Sequence, residues 1–310
     1  MSRPTRVLVT GAGGQVGVDL VDALRGLTPP GGDASFQPDG RVVADDEFEV
    51  LGLTRQDLDV TDRDAVFRSL RVARPDVIVH LAAFTAVDRA EEDAARCFSV
   101  NEQGTESMSL AASDVGAHLI TISTDYVFDG AKGAAYVEYD EAHPLSVYGG
   151  SKREGELRCS PSDTIVRTSW VMGVRGSNVV HVIADRATSG ANVRFVDDQT
   201  GTVSAASDLA RSLVTLVRER PGGTWHVANS GATTWFAIAA YVGSLLLRGE
   251  EFATPIATSE LVPAQLATRP KRSDLDTQKF ASHWVSLPPW RDAVARLVVD
   301  RAGSQRGRRE

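Results

Sequence analysis

The stretch Val7-Leu8-Val9-Thr10-Gly11-Ala12-Gly13-Gly14-Gln15-Val16-Gly17 decides the fold. Val7 to Thr10 is a short, largely β-branched run that reads as a buried strand. Gly11 suits a tight turn off that strand, Gly14 lets backbone approach a pyrophosphate, and Gly17 allows a following helix to pack close. That helix reads from about Gln15 to Leu27, and its dipole and free N–H groups favour an anion. The glycine spacing differs from G-x-G-x-x-G, so the context carries the reading: a strand before, a helix after. A plain glycine loop is the weaker alternative.

Outward from the turn, the chain alternates. Thr28 to Asp46, rich in Gly, Pro and Asp, reads as an inserted, mobile loop remote from the cofactor. Phe48 to Thr54, Asp76 to Leu81, Leu119 to Ser123 and Asp163 to Thr168 read as strands. Thr61 to Ala73, Ala94 to Val115 and Ser146 to Cys159 read as helices. Most of these strands are apolar throughout, which calls for a parallel sheet covered on both faces. The second half is less regular, with strands at Phe195 to Val196 and Thr224 to Ala228 and helices at Ser207 to Arg218 and Trp235 to Leu247. The expected fold class is α/β: a Rossmann-type doubly wound parallel sheet with a smaller α+β substrate-binding part at the C-terminal side. The dinucleotide-binding domain is expected over 1–170, with the insertion at about 28–46. The mainly substrate-binding part is expected over 171–300, with about 197–228 partly returning to the first domain. Residues 301–310 read as a flexible tail.

Composition narrows the function. The 310 residues are ample for a sizeable core, and 42% hydrophobic with 24% charged residues excludes wholesale disorder. A net charge of −8 argues against a nucleic-acid surface but leaves room for an anionic small substrate met by a few arginines. Cys97 and Cys159 are too few for a disulfide framework or a cysteine zinc site and suit reduced thiols. Nothing reads as a spanning helix or a signal peptide. Neither nucleic acid nor membrane is expected as a partner, and the cytoplasm is the expected location. His80, His118, His143, His181, His226 and His283 show no metal-ligand spacing, and no metal site is assigned.

Tyr148 and Lys152 are four apart, so a helix puts them on one face. With five tyrosines and four lysines in the chain, chance supplies such a pair only roughly 0.06 times. A nearby ammonium is expected to lower the Tyr148 pKa, so that the phenol serves as general acid toward a carbonyl, or as base in reverse. Ser123-Thr124-Asp125-Tyr126-Val127-Phe128-Asp129-Gly130 closes the fourth strand, at the edge where ligands bind. Thr124 is expected to hydrogen-bond the carbonyl beside Tyr148. A strand-to-turn cap is the alternative role for Thr124 and Asp125.

GAGGQVG, LDVTD, AAFTAVDRAE, STDYVFDG, YGGSKREGE, RTSWV, DDQTG, the WHVANSGATTW stretch and RPKRSDLD fall in order across nearly the whole chain. Together they resemble the dTDP-4-dehydrorhamnose reductase family of extended short-chain dehydrogenases/reductases. The resemblance implies reduction of a dTDP-4-keto-6-deoxyhexose, with Thr124, Tyr148 and Lys152 catalytic. It implies cofactor contacts from Gly11, Gly14, Gln15, Val16, Gly17, Asp59, Val60, Ala83, Phe84 and Thr85, and from Tyr148 and Lys152. It implies substrate contacts from Thr124, Asp125, Tyr148, Trp170 and Asn178. Arg269, before Pro270, reads either as a partner of the substrate pyrophosphate or as a surface ion pair. The second strand ends Leu53-Thr54-Arg55 without an acid at its tip, which favours NADPH held by Arg55 and leaves NADH open. Asp57 and Asp59 weigh against a phosphate if they point inward.

Some members of that family hold magnesium at a dimer interface through carboxylates. Asp19 matches one such position, but the second falls on Ser207, so magnesium of that kind is not expected. A homodimer stays open. Thr202-Val203-Ser204 stands where the family commonly shows Pro-Thr. Two alternatives accompany the leading reading: a 4-ketoreductase for another dTDP-(di)deoxysugar in natural-product glycosylation, and a non-catalytic regulatory or binding subunit on the same fold. A sugar-nucleotide 4-epimerase also uses Tyr and Lys but retains its cofactor through turnover.

Overall fold

The computed structural model describes residues 3–306. Its first half builds one sheet from β1 (Thr5–Thr10), β2 (Phe48–Leu53), β3 (Val77–His80), β4 (His118–Thr124) and β5 (Thr164–Thr168). Between them run α1 (Gln15–Leu24), α2 (Arg63–Ala73), the short α3 (Val87–Glu92) and α4 (Ala94–Phe98), α5 (Gly104–Val115) and α6 (Val147–Leu157). The predicted helix from Ala94 to Val115 is present but is interrupted by a π-helical turn at Ser99–Gln103.

The second half contributes β6 (Val171–Met172), α7 (Val179–Thr188), β7 (Val193–Val196), β8 (Thr200–Thr202), β9 (Ser204–Ala205), α8 (Ala206–Glu219) and β10 (Gly223–His226). It ends with β11 (Ala232–Thr234), α9 (Trp235–Leu245), β12 (Ala253–Ile256), α10 (Gln278–His283) and α11 (Trp290–Arg306). The main sheet runs β10-β5-β4-β3-β1-β2, all parallel, so the strand order reverses beside β1. Ligand crevices form at that point, outside the carboxyl ends of the strands.

Alternation sorts the core into two layers. Val7 and Val9 face α1 and α8, where Leu20, Leu24, Leu209 and Leu213 are buried; Leu8 faces the opposite layer, with Val66, Leu70 and Met108 of α2 and α5. β10 joins β5 in parallel at the far edge. A separate core of Met172, Ile183, Ile238, Val242 and Leu297 gathers α7, α9 and α11. Among the described residues no helix is long and apolar enough to cross a membrane.

Two expectations need correction. The 28–46 insertion is anchored rather than mobile: Phe36 is buried in the main core. Arg218 of α8 donates from Nε to Glu47 at 2.7 Å and from Nη1 to Asp39 at 2.8 Å, and Arg296 donates to the Gly31 carbonyl at 2.8 Å. Glu47, just after the loop, accepts from Thr5 N at the amino end of β1, while Gly31 within it accepts from Ser207 in the first turn of α8. The tail begins later than 301, because α11 continues to Arg306; residues 307–310 lie outside the described residues. Phe36→Ala is expected to destabilise the protein by about 3 kcal/mol through the cavity it leaves, with ligand affinity unchanged; a urea titration checks this.

Candidate active site

A cavity of about 830 Å³ opens at the carboxyl ends of the strands. Its floor is the glycine turn. Gly11 takes φ +66°, and a Cβ there would lie 2.7 Å from the Ala82 amide; one at Gly17 would overlap the Gly11 carbonyl. These two close approaches aim the N-terminus of α1 into the cavity, where its free N–H groups favour an anion. Gln15 ties that terminus to the second half, accepting from Gly173 N at 2.9 Å. These features fit a dinucleotide pyrophosphate.

The cavity is also lined by Val16, Arg55, Asp59, Val60, Ala83, Phe84, Thr85, Thr124, Asp125, Tyr148, Lys152 and Trp170. Asp57 and Asp59 are occupied by their own turns: Asp57 accepts from the Thr54 amide and hydroxyl at 2.8 and 2.6 Å, and Asp59 likewise from Thr61 at 3.0 and 2.8 Å. Arg55 is exposed at the rim, and Arg96, which sequence reasoning passed over, also lines the cavity. Both cations help hold the Asp59 carboxyl below its usual range, after its Thr61 hydrogen bonds. Trp170 has φ +41° and stacks on Trp235 with ring centroids 4.0 Å apart.

α6 starts at Ser146, whose hydroxyl caps it by accepting from Gly149 N at 3.1 Å. Its inner face presents Tyr148 and Lys152. Lys152 is 5% exposed, and no protein hydrogen bond holds its ammonium among the described residues. Burial lowers its pKa to about 8, against an opposing pull from Glu156. Tyr148 moves the other way: burial raises its pKa well above the ordinary phenol value, reinforced by Asp125 and Tyr126 and opposed by hydrogen bonding to Thr124. This corrects the expectation of a lowered Tyr148 pKa. The phenol is held firmly protonated.

Thr124 closes β4 and accepts from Tyr126 N at 3.2 Å, so the cap role is real; its hydroxyl also donates to Asp125 Oδ1 at 3.1 Å. Asp125 Oδ2 accepts from Ser273 Oγ at 2.6 Å. The STDYVFDG and RPKRSDLD segments thus meet, and a Cβ at Gly130 would press within 3 Å of the Lys271 amide.

Two predicted contacts are not brought to the cavity wall. Asn178 caps α7, accepting from His181 N at 3.1 Å while its amide donates to the Gly173 carbonyl at 2.5 Å. Arg269 forms a bidentate pair with Asp88, at 3.0 and 2.7 Å. Asp88 also accepts from Leu266 N and Ala267 N, and its pKa falls to about 2, chiefly through Arg269. The magnesium donor set does not fit: Asp19 has Arg175 at 3.4 Å, and the Ser207 hydroxyl donates to the Gly31 carbonyl.

Sequence reading missed Asn101. It sits in the π-helical turn, where its Oδ1 accepts from Phe84 N at 2.8 Å. Its amide donates to the Phe84 carbonyl at 3.1 Å and to Ser151 Oγ at 2.9 Å. One side chain therefore fixes the Ala83–Thr85 wall to α6. The only local signal was a helix long enough to hide a π turn, a feature frequent at functional sites.

The family model described as RmlD substrate binding domain matches residues 40–302. A dTDP-4-dehydrorhamnose reductase from Sinorhizobium fredii is 35% identical over 306 residues, covering 94% of this chain and 96% of the relative. One from Streptomyces griseus is 38% identical, covering 93% and 91%. The crystal structure of dTDP-4-dehydrorhamnose reductase from Bacillus anthracis in complex with NADP superposes with a TM-score of 0.84 at 29% identity, over 96% of this chain and 99% of that one.

Asn101→Ala is expected to remove about 1–3 kcal/mol by stranding buried partners. The diagnostic is local: hydrogen exchange at the Phe84 amide should accelerate beyond the global change.

Proposed function

The chain belongs to the dTDP-4-dehydrorhamnose reductase family, and we propose that it reduces the 4-keto group of a dTDP-4-keto-6-deoxyhexose with NADPH, forming dTDP-L-rhamnose. One observation carries this reading: Thr124, Tyr148 and Lys152 converge on the cavity floored by the glycine turn. Cys97 and Cys159 are free, in keeping with a reducing, cytoplasmic setting.

The reduced nicotinamide, when bound, supplies hydride to the carbonyl carbon. The chain supplies the rest. The α1 N-terminus holds the pyrophosphate, and Arg55 at the rim suits a ribose 2′-phosphate. Lys152 offers an unclaimed ammonium to the nicotinamide ribose hydroxyls. Tyr148 holds a proton that burial keeps on the phenol, ready for the oxygen that gains charge. Trp170, braced by Trp235, presents an aromatic face to the sugar.

The test is absorbance at 340 nm with dTDP-4-keto-L-rhamnose generated in place, comparing NADPH with NADH and identifying the sugar product. Stoichiometric oxidation, faster with NADPH, and dTDP-rhamnose are expected. Oxidation only with other dTDP-4-keto sugars would instead favour the deoxysugar alternative. Tyr148→Phe should lower kcat by about a hundredfold or more with NADPH affinity retained, since only the proton donor is lost.

Cofactor affinity carries its own pH signature. Lys152 is charged below about pH 8 and neutral above it. If binding requires the ammonium, affinity is flat below that pH and weakens above it, approaching about tenfold per unit for a single proton. Lys152→Arg, which stays charged, should flatten the dependence in a calorimetric titration.

A further inference from the structure

Arg55 and Arg96 both line the cavity, and neither guanidinium makes an ion pair or a hydrogen bond among the described residues. Acids are close at hand in the chain, but each is committed to its own turn. Asp57 accepts from Thr54, and Asp59 from Thr61. Asp93 stands three residues before Arg96, a helical spacing that offers a side-chain pair. Its carboxylate instead caps α4, accepting from the Arg96 amide at 3.2 Å. The Arg96 guanidinium is left to the cavity.

The helix places Arg96 at the same end of the cavity as Arg55. α4, the π-helical turn and α5 form one continuous helical run, along which Arg96, Val100 and Gly104 follow at four-residue steps. Gly104 packs on Val60: a Cβ there would lie 3.0 Å from Val60 Cγ2. Val100 lines the cavity and packs against the core that holds Leu58 and Val60. Arg96, one step further along, comes beside Asp59, whose carboxyl feels the charge of both Arg55 and Arg96. This end of the cavity therefore offers two guanidinium forks and no carboxylate free to accept from ribose hydroxyls. A phosphate monoester, carrying roughly −1.5 to −2 charge and three acceptor oxygens, matches both forks.

We propose that Arg96 is a second specificity-determining residue for the cofactor, gripping the ribose 2′-phosphate of NADPH from α4 while Arg55 grips it from the loop after β2. The proposal rests on the reading of Arg55 as a 2′-phosphate contact given above. Arg55 is exposed at the rim, where solvent screens its charge; Arg96 is half-buried, so its contact is screened less. A lysine at position 96 would keep the charge but lose the fork that meets two phosphate oxygens at once.

The test is calorimetric titration of the whole protein with NADPH and with NADH. The wild type should bind NADPH more tightly. Arg96→Gln should weaken NADPH by about tenfold or more and leave NADH within about twofold, because NADH carries no 2′-phosphate. Arg96→Lys should fall between the two for NADPH alone, and it keeps the test decisive should the glutamine variant not fold. Equal weakening of NADPH and NADH in a folded variant, as a stacking contact with the adenine would give, overturns the role of Arg96. So does unchanged affinity for both. Either result leaves the NADPH reading intact, whereas a wild type that binds NADPH no more tightly than NADH overturns both.

Discussion

The cavity depends on one buried ion pair between α6 and the sheet. Glu156 accepts from Arg167 Nε at 2.8 Å and Nη2 at 2.8 Å, and both side chains are almost wholly enclosed. Losing either partner would strand a buried charge, a change that costs about 3–5 kcal/mol in such pairs. The pair also sets the rotation of α6. Tyr148, Lys152 and Glu156 follow one another at four-residue steps and share a face, so pinning Glu156 to β5 turns Lys152 and Tyr148 toward the strand ends. Arg167 reaches further, lying 5.0 Å from the Phe128 ring centroid and donating to the Glu138 carbonyl. The strand, the helix and the STDYVFDG turn are thereby locked together through a single guanidinium.

What the sequence disclosed was local chemistry. The glycine turn is legible because the strand, the turn and the helix that give it meaning are contiguous. Tyr148 and Lys152 are legible because helical periodicity alone puts them together. The Ser273–Asp125 bond spans 148 residues, and no spacing rule relates its ends. The insertion looked loose for the same reason: its anchor, Arg218, lies 171 residues beyond Glu47. Asn178 and Arg269 have partners within the protein. Their residue types suited ligand contact, but a helix N-cap and a carboxylate neighbour use their hydrogen-bonding groups first. Asn101 escaped notice because its partners, Phe84 and Ser151, lie 17 and 50 residues away in the chain.

The electrostatics of Tyr148 and Lys152 differ from what their spacing suggested. Spacing alone suggested an ammonium easing the ionisation of its neighbour. Burial instead acts first on both groups and in opposite senses, raising the phenol and lowering the ammonium. Burial keeps the proton on the phenol at working pH, so a proton is at hand for the oxygen of a carbonyl that accepts hydride, although the raised pKa makes Tyr148 a weaker acid. Lys152 is then left to keep its charge for the cofactor, and the group that helps it is Glu156, whose field opposes the effect of burial. Because Glu156 is already neutralised by Arg167 and Arg153, its pull on Lys152 is partial. That partial pull leaves the ammonium titrating close to neutrality, so the ion pair that orients the helix also limits how far the lysine stays charged.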